Sequence, residues 1–291
     1  MRKASACHLS LPDVSRAYAA FARSLENASF STLALDYDGT LCEAKNRHGP
    51  INQSIAQELA RILGHGIRVG VATGRGRSVK KALRDALPEA TWGRVVIGYY
   101  NGAECASLDT DTAPHRGETP CAELEAMAAA LQSDACIQAI AALTFRAYQI
   151  TLELRQTQDL ELAWEVAGRH IAAMSDSRIR MVVSSHSIDL LAPGVSKRNL
   201  IDFIHMNYLT GPTGETLCIG DQGRWPGNDA DVLSLAHALS VDTVSSDLRT
   251  CWNIAPTGYR GPQAALHYLQ RLELEGAGFR FSTHARAGGH T

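Results

Sequence analysis

Apolar runs that stop abruptly at small polar or acidic loops, alternating with helix-period stretches, constrain this chain more than any other feature. In STLALDYDGTLC the apolar Leu33 to Leu35 ends at an acidic pair and a Gly-Thr, as a buried strand ends in a loop. Asn52 to Leu63 opens on a capping-type Asn, carries Ile55, Leu59, Ile62 and Leu63 at helical spacing, and is stopped by Gly64 and Gly66. IRVGVATGR repeats the strand, Ser78 to Leu87 repeats the helix, and RVVIGYYNGAE supplies a further strand. Strand, helix, strand, helix is the pattern of a parallel sheet covered by helices, an α/β core.

After about Ala103 the rhythm changes. Ala122 to Leu131 and Leu160 to Met174 read as helices, while Tyr148 to Leu154, Ile179 to Val183 and Ile188 to Leu191 read as short strands. This mixture predicts a small α+β module inserted into the core. The opening rhythm returns with a helix over Lys197 to Met206, the strand TLCIGD, a helix over Ala230 to Leu239, the strand VDTVSS and a helix over Gln263 to Leu274. The division expected is an N-terminal helical segment over 1–30, a core made of 31–102 and 194–275, an inserted domain over 103–193, and a frayed or disordered tail over 276–291. The leading helix, Leu11 to Leu25, is expected to cover a sheet edge.

Composition excludes several classes of function. With 291 residues and 45% apolar content the chain has ample material for a core. Its 28 basic residues against 30 acidic ones leave a net charge of -2, with no global pull toward nucleic acid or anionic lipid. No apolar run approaches the roughly 18 to 20 residues that span a bilayer, and no apolar core follows the Arg2-Lys3 pair as in an export signal. Seven cysteines lie far apart without a CxxC pair and read as reduced thiols. A soluble cytoplasmic protein with neither nucleic acid nor membrane as partner is the expectation.

Ligands of an open parallel sheet gather outside the carboxyl ends of its strands. Asp36 and Asp38 follow the first strand, Thr73 the second, Asn101 the third and Asp221 a later one. Two carboxylates with one residue between them point roughly the same way from extended backbone, so one can attack a phosphoryl group while the other handles protons. Such an attack needs cations to offset the charge. Magnesium prefers oxygen ligands, which Asp36, Asp221 and a backbone carbonyl of the loop would provide. Lys197 stands at a helix start where the main rhythm resumes; an isolated Lys is ordinarily a solvated surface residue. Thr73 and Gly74 read as turn residues or as a phosphate cradle opening a helix. GDQGRWPGNDADVL likewise has two readings, a turn with a helix N-cap or a metal site.

In order, LALDYDGTL, VATGR, APGVSK and IGDQGRWPGND resemble the four motifs of the haloacid dehalogenase superfamily of phosphatases, over Thr32 to Leu272. The module between the second and third motifs is similar to a type IIB cap, the branch that includes sucrose-phosphate, trehalose-phosphate and Cof-like sugar phosphatases, and YYNGAE is similar to their Asn-Gly-Ala segment. The resemblance implies a Rossmann-like core with an inserted cap and a phosphatase acting on a small phosphorylated metabolite, a sugar phosphate above all. It implies Asp36 as nucleophile forming an aspartyl phosphate and Asp38 as acid and base. Thr73, Gly74 and Lys197 would hold the phosphoryl group. Magnesium (Mg2+) would lie on the Asp36 carboxylate, the Asp38 carbonyl and Asp221, with Asp229 beside or behind them. The cap would close over the substrate and exclude water.

Two departures stand out. Arg198 follows Lys197 where family members commonly have Gly, and a solvent-facing Arg198 is expected. In the fourth motif six residues separate Asp221 from Asn228, an apparent insertion. Asn228 or Asp229 could cap the following helix, and Arg224 and Trp225 either contact substrate under the cap or pack the lengthened loop. Alternatives to hydrolysis are a phosphotransferase or mutase using the same intermediate, and a non-catalytic binding module of the same fold.

Overall fold

The computed structural model describes residue 3 and residues 10–43, 49–115, 119–184, 186–208 and 214–283. The first half of the core comprises α1 (Leu11–Asn27), β1 (Phe30–Asp36), α2 (Gln53–Gly64), β2 (Arg68–Ala72), α3 (Arg77–Ala86), β3 (Val95–Tyr99) and β4 (Glu104–Ser107). The inserted module follows with α4 (Ala122–Ser133), α5 (Ala135–Ile140), β5 (Ala141–Phe145), β6 (Gln149–Leu154), α6 (Leu160–Ala173), β7 (Arg180–Val183) and β8 (Ser187–Leu191). The core resumes with α7 (Arg198–Tyr208), β9 (Glu215–Gln222), α8 (Ala230–Leu233), β10 (Ala238–Thr243), α9 (Gly261–Leu269), β11 (Leu272–Glu275) and β12 (Gly278–Phe281).

The core sheet runs β10-β9-β1-β2-β3-β4. Its first five strands are parallel, and β4 returns antiparallel along β3. Covered on both faces, parallel strands must be apolar throughout, which is why Leu33, Leu35, Val69, Val71, Val95 and Ile97 are all buried. In the register of β1, Leu35 lies opposite Val71 and Ile219, and Asp36 opposite Ala72. The ends of β1, β2 and β9 are therefore level, and the residues that follow them meet at one rim.

Helix α2 forms where its sequence predicts. The Asn52 side chain accepts from the amides of Ser54 (2.9 Å) and Ile55 (3.4 Å), while Ile55, Leu59, Ile62 and Leu63 face the core. Each such side chain contributes on the order of 2 kcal/mol of burial. Helix α1 buries Val14, Phe21 and Leu25 and stacks Phe21 on Trp252 at 6.1 Å.

The cap carries a four-stranded antiparallel sheet, β5-β6-β8-β7. Period-2 alternation splits its faces. Ile150, Leu152, Ile188 and Leu190 pack with Leu124, Met127, Leu131, Ala163, Val166 and Ala167 of the cap helices. Gln149, Thr151, Ser187 and Asp189 fall on the opposite face, toward the rim of the core.

Four boundaries differ from the sequence expectation. The helix expected over Ala230 to Leu239 is a single turn, because Ala238, Leu239 and Ser240 pair with Cys218, Ile219 and Gly220 of β9. The helix expected to reach Leu274 ends at Leu269, and β11 pairs with β12. The tail expected from 276 onward is ordered as far as the structure describes it, through 283, since Phe279 and Phe281 are buried and Phe279 pairs with Phe30 of β1; residues 284–291 lie outside the described residues. The core also extends past the expected junction at 102, because β4 belongs to the core sheet. Six cysteines, Cys42, Cys105, Cys121, Cys136, Cys218 and Cys251, are free thiols, and Cys7 lies outside the described residues. Among the described residues no helix is long and apolar enough to cross a membrane.

Candidate active site

At the rim of the core sheet, Lys197 inserts its ammonium between two carboxylates. Its Nζ donates to Asp36 Oδ1 at 2.6 Å and to Asp229 Oδ1 at 2.7 Å, and all three side chains are sealed from solvent. Lys197 is thus no surface lysine; it is 2% exposed, whereas Arg198 faces solvent. A buried charge costs several kcal/mol unless it is paired, and this pairing ties the start of α7 to the end of β1. The other Asp229 oxygen, Oδ2, accepts from the amides of Asp221 (3.0 Å) and Gln222 (3.1 Å). That carboxylate holds the end of β9 and makes no cap bond to α8. The Asp229 side chain therefore does not act as the N-cap expected in the turn reading.

Asp36, Asp221 and Asp229 each offer a carboxylate oxygen within 4.8 Å of the others. Asp36 Oδ2 is buried without a hydrogen-bond partner. Gly39 makes this convergence possible. It sits at φ 86°, and a Cβ there would lie 2.4 Å from Asp221 Oδ2, so only glycine satisfies both the left-handed backbone and the close approach. An all-oxygen set with an unpartnered buried acceptor fits a hard divalent cation such as magnesium.

The electrostatics agree with that fit. Burial drives the Asp36 carboxyl up to about 8, the Asp229 charge adds to it, and Lys197 offsets only part. Asp221 is likewise raised, by burial first and by the charges of Asp36 and Asp229 next. Burial would raise Asp229 too, but Lys197 outweighs it and holds that carboxyl below its ordinary value. For Lys197 burial opposes the charge, and the two carboxylates together raise the ammonium above its ordinary range. The ammonium pairs with only two of the three clustered carboxylates, Asp36 and Asp229, so among the described residues Asp221 has no cation of its own.

Asp38 turns from this cluster toward the second motif. Arg75 Nη1 donates to its Oδ1 at 3.1 Å, and Thr73 Oγ1 lies 3.5 Å from its Oδ2. Thr73 Oγ1 also accepts the Arg75 amide at 3.0 Å, which closes the turn into α3. Asp36, Asp38, Gly74, Asp221 and Asn228 open onto one cavity of about 300 Å³. Thr73, Lys197 and Asp229 are buried beneath it.

The opposite wall belongs to the cap: Thr144, Arg146, Gln149, Thr151, Glu153, Ser184, His186, Ser187 and Asp189. Asn101 joins the two halves from the left-handed conformation at φ 58°, donating from Nδ2 to Gln149 Oε1 and Asp189 Oδ2, both at 3.1 Å. Gln149 Nε2 in turn donates to the Gly74 carbonyl at 3.0 Å. Asn101 is therefore a junction residue and does not line the cavity. Arg224 and Trp225 do not line it either; both are exposed and lie on the loop that docks β7.

Sequence reasoning did not assign Arg75, Gln149, Thr151 or Asp189. Arg75 stood inside VATGR as quoted, and the polar alternation Gln149, Thr151, Glu153 was a readable sign of a wetted strand face. Of the cap cations His115, Arg146, Arg155, Arg169, Arg178, Arg180 and His186, only Arg146 and His186 line the cavity.

No protein-family model matches the sequence, and no curated protein matches it. Solved structures do match its fold. A sugar phosphatase of haloacid dehalogenase subclass IIB is 17% identical, with a TM-score of 0.50 over 72% of this chain and 86% of its own. The C-terminal domain of Candida albicans ("C. albicans") trehalose-6-phosphate phosphatase is 11% identical, with a TM-score of 0.56 over 89% of this chain and 94% of its own. An IMP-bound IMP-nucleotidase from Plasmodium falciparum is 14% identical, with a TM-score of 0.56 over 77% of this chain and 67% of its own. The chain has the fold of the haloacid dehalogenase superfamily, with its cap inserted between the two halves of the core.

Proposed function

We propose that this protein is a magnesium-dependent phosphomonoesterase that hydrolyses a small phosphorylated metabolite, a sugar phosphate, through an aspartyl phosphate on Asp36. The observation that carries this reading is the buried Asp36, Lys197 and Asp229 constellation beside Asp221, level with the Asp38 and Thr73 loops. Solved relatives of the same fold include a sugar phosphatase, a trehalose-6-phosphate phosphatase and an IMP-nucleotidase.

Magnesium would be held by the Asp36 carboxylate, Asp221 and the Asp38 carbonyl; when bound it supplies charge neutralisation of the phosphoryl oxygens. Asp229 has both oxygens engaged, so its assigned task is to fix Lys197 and the β9 end. The Asp36 carboxylate attacks phosphorus and the ester oxygen leaves with its electron pair. Asp38 protonates that oxygen, then takes a proton from the water that attacks the aspartyl phosphate. Arg75 orients Asp38 through their 3.1 Å contact. Lys197 and the Thr73 hydroxyl balance charge on the transferring group.

The cap wall supports a polyhydroxylated leaving group. Thr144, Thr151, Ser184 and Ser187 place hydroxyls and Gln149 an amide on that wall, Asn228 adds an amide from the core, and among the described residues the lining contains no Phe, Tyr or Trp on which a base would stack. Turnover of a hexose phosphate in 18O-labelled water tests hydrolysis against phosphoryl transfer. One solvent oxygen per phosphate released is expected; phosphate free of the label, with phosphoryl transfer to an added alcohol, would assign a phosphotransferase instead.

A further inference from the structure

The lengthened fourth motif occupies a place that the hydrolytic chemistry does not explain. Between Asp221 and Asn228 the chain leaves β9, turns through Gly223 to Gly227, and lies beside the cap strand β7. Val183 donates its amide to the Pro226 carbonyl at 2.8 Å, and Asn228 donates its amide to the Val183 carbonyl at 2.9 Å, which makes a parallel bridge between Val183 and Gly227. Side chains reinforce the contact from both sides. Arg180 Nη2 donates to Asp231 Oδ2 at 2.8 Å, its guanidinium lies 5.9 Å from the Trp225 ring centre, and Ser196 Oγ donates to the same Asp231 oxygen at 2.7 Å.

The loop is tightly turned. Its turn closes through the Gly227 amide on the Arg224 carbonyl at 2.7 Å, and a Cβ on Gly227 would lie 2.3 Å from the Gln222 carbonyl oxygen. Both ends of the bridge abut the cavity. Ser184 follows Val183 and lines it from the cap, and Asn228 lines it from the core. On the core side the bridge is one residue from Asp229, which carries Lys197.

We propose that Gly223 to Asn228 is a latch that seats the cap on the core, with Arg180 and Trp225 as positioning residues for the cavity wall formed by Ser184, His186 and Ser187. The second fastening is the Asn101, Gln149 and Asp189 junction across the cavity. With the wall fixed at both edges, a polar leaving group meets a preformed set of hydroxyls. A cap held only at the Asn101 junction would swing at its β7 edge. Broken contacts at the latch therefore weaken binding of a substrate that reaches the cap and spare one that does not.

The kinetic arm of the test rests on the phosphatase reading, and the exchange arm does not. Hydrogen exchange on the full chain is measured for the parent, Arg180→Ala, Arg180→Lys and Trp225→Ala. The parent is expected to protect the Val183 and Asn228 amides; Arg180→Ala is expected to speed their exchange at least tenfold, with β1 and β2 amides changed less than twofold and Arg180→Lys intermediate. KM for a hexose phosphate is expected to rise at least about fivefold in Arg180→Ala with kcat within twofold, while both constants for p-nitrophenyl phosphate stay within twofold. Unprotected Val183 and Asn228 amides in the parent, or unchanged protection in both alanine variants, overturn the latch. A parent without phosphatase activity overturns the functional reading and leaves exchange to judge the latch.

Discussion

Lys197 and Asp36 meet at 2.6 Å although 161 residues separate them, and neither side chain is more than 3% exposed. Their contact joins the strand that opens the core to the helix that resumes it after the cap. The same ammonium reaches Asp229, so the site's charge balance depends on three distant segments.

Asp36→Asn preserves shape and removes the nucleophile. Turnover of p-nitrophenyl phosphate is expected to fall by at least about three orders of magnitude, with an unchanged circular dichroism spectrum. Parent-like rates in this variant with magnesium present would remove Asp36 from its proposed role.

Lys197→Met leaves two buried carboxylates without their shared cation. Breaking a buried pair from one side costs about 3–5 kcal/mol, so urea unfolding in chelator should show a loss of that order, together with lost activity. A variant as stable as the parent would mean that water reaches Asp36 and Asp229 more freely than their burial indicates.

Magnesium should stabilise the folded chain. At about 100-fold excess over its Kd the gain is roughly 2.7 kcal/mol, read as a rise in Tm that chelation reverses. Asp221→Asn is expected to abolish the rise, and Gly39→Ala to diminish it, since the added Cβ would displace Asp221 Oδ2. An undiminished shift in Asp221→Asn would place the ion elsewhere.

Asp189, on the cap wall of the cavity, gives a pH signature of its own. Burial raises its carboxyl above the ordinary 3.8, although Thr151, Asn101, Lys197 and Arg146 all pull it down. The folded state therefore binds more protons than the unfolded state between 3.8 and the raised value, and stability contributed by this group is lost as pH rises through that window. Asp189→Asn removes the titration, so the stability difference, variant minus parent, should grow with pH over the window. A pH-independent difference in urea midpoints would contradict the assignment.

Much of this architecture was legible in the sequence because it rests on local rules. Apolar runs that must be buried on both faces identify β1, β2, β3 and β9; the Asn52 cap and 3.6-residue spacing identify α2; and Asp36, Asp38, Thr73 and Asp221 stand where strands stop. Local rules also misled where pairing partners were distant. The stretch through Leu239 satisfies a helical pattern, but hydrogen bonding to β9 makes its end a strand, and burial of Phe279 and Phe281 orders chain that composition alone marks as frayed.

What the sequence by itself determined, then, was the alternation of the core, the insertion of the cap and the acidic residues at the strand ends, since periodicity and loop chemistry are properties of neighbouring residues. Tertiary structure alone decided that Lys197 is a buried cation, that Asp229 serves Lys197 and the β9 amides, that Arg75 holds Asp38, and that Arg224 and Trp225 stand outside the cavity on a loop fastened to the cap. The physical reason is that pairing, desolvation and close backbone approach depend on which distant segments the fold brings within a few ångströms, and spacing along the chain does not encode that distance.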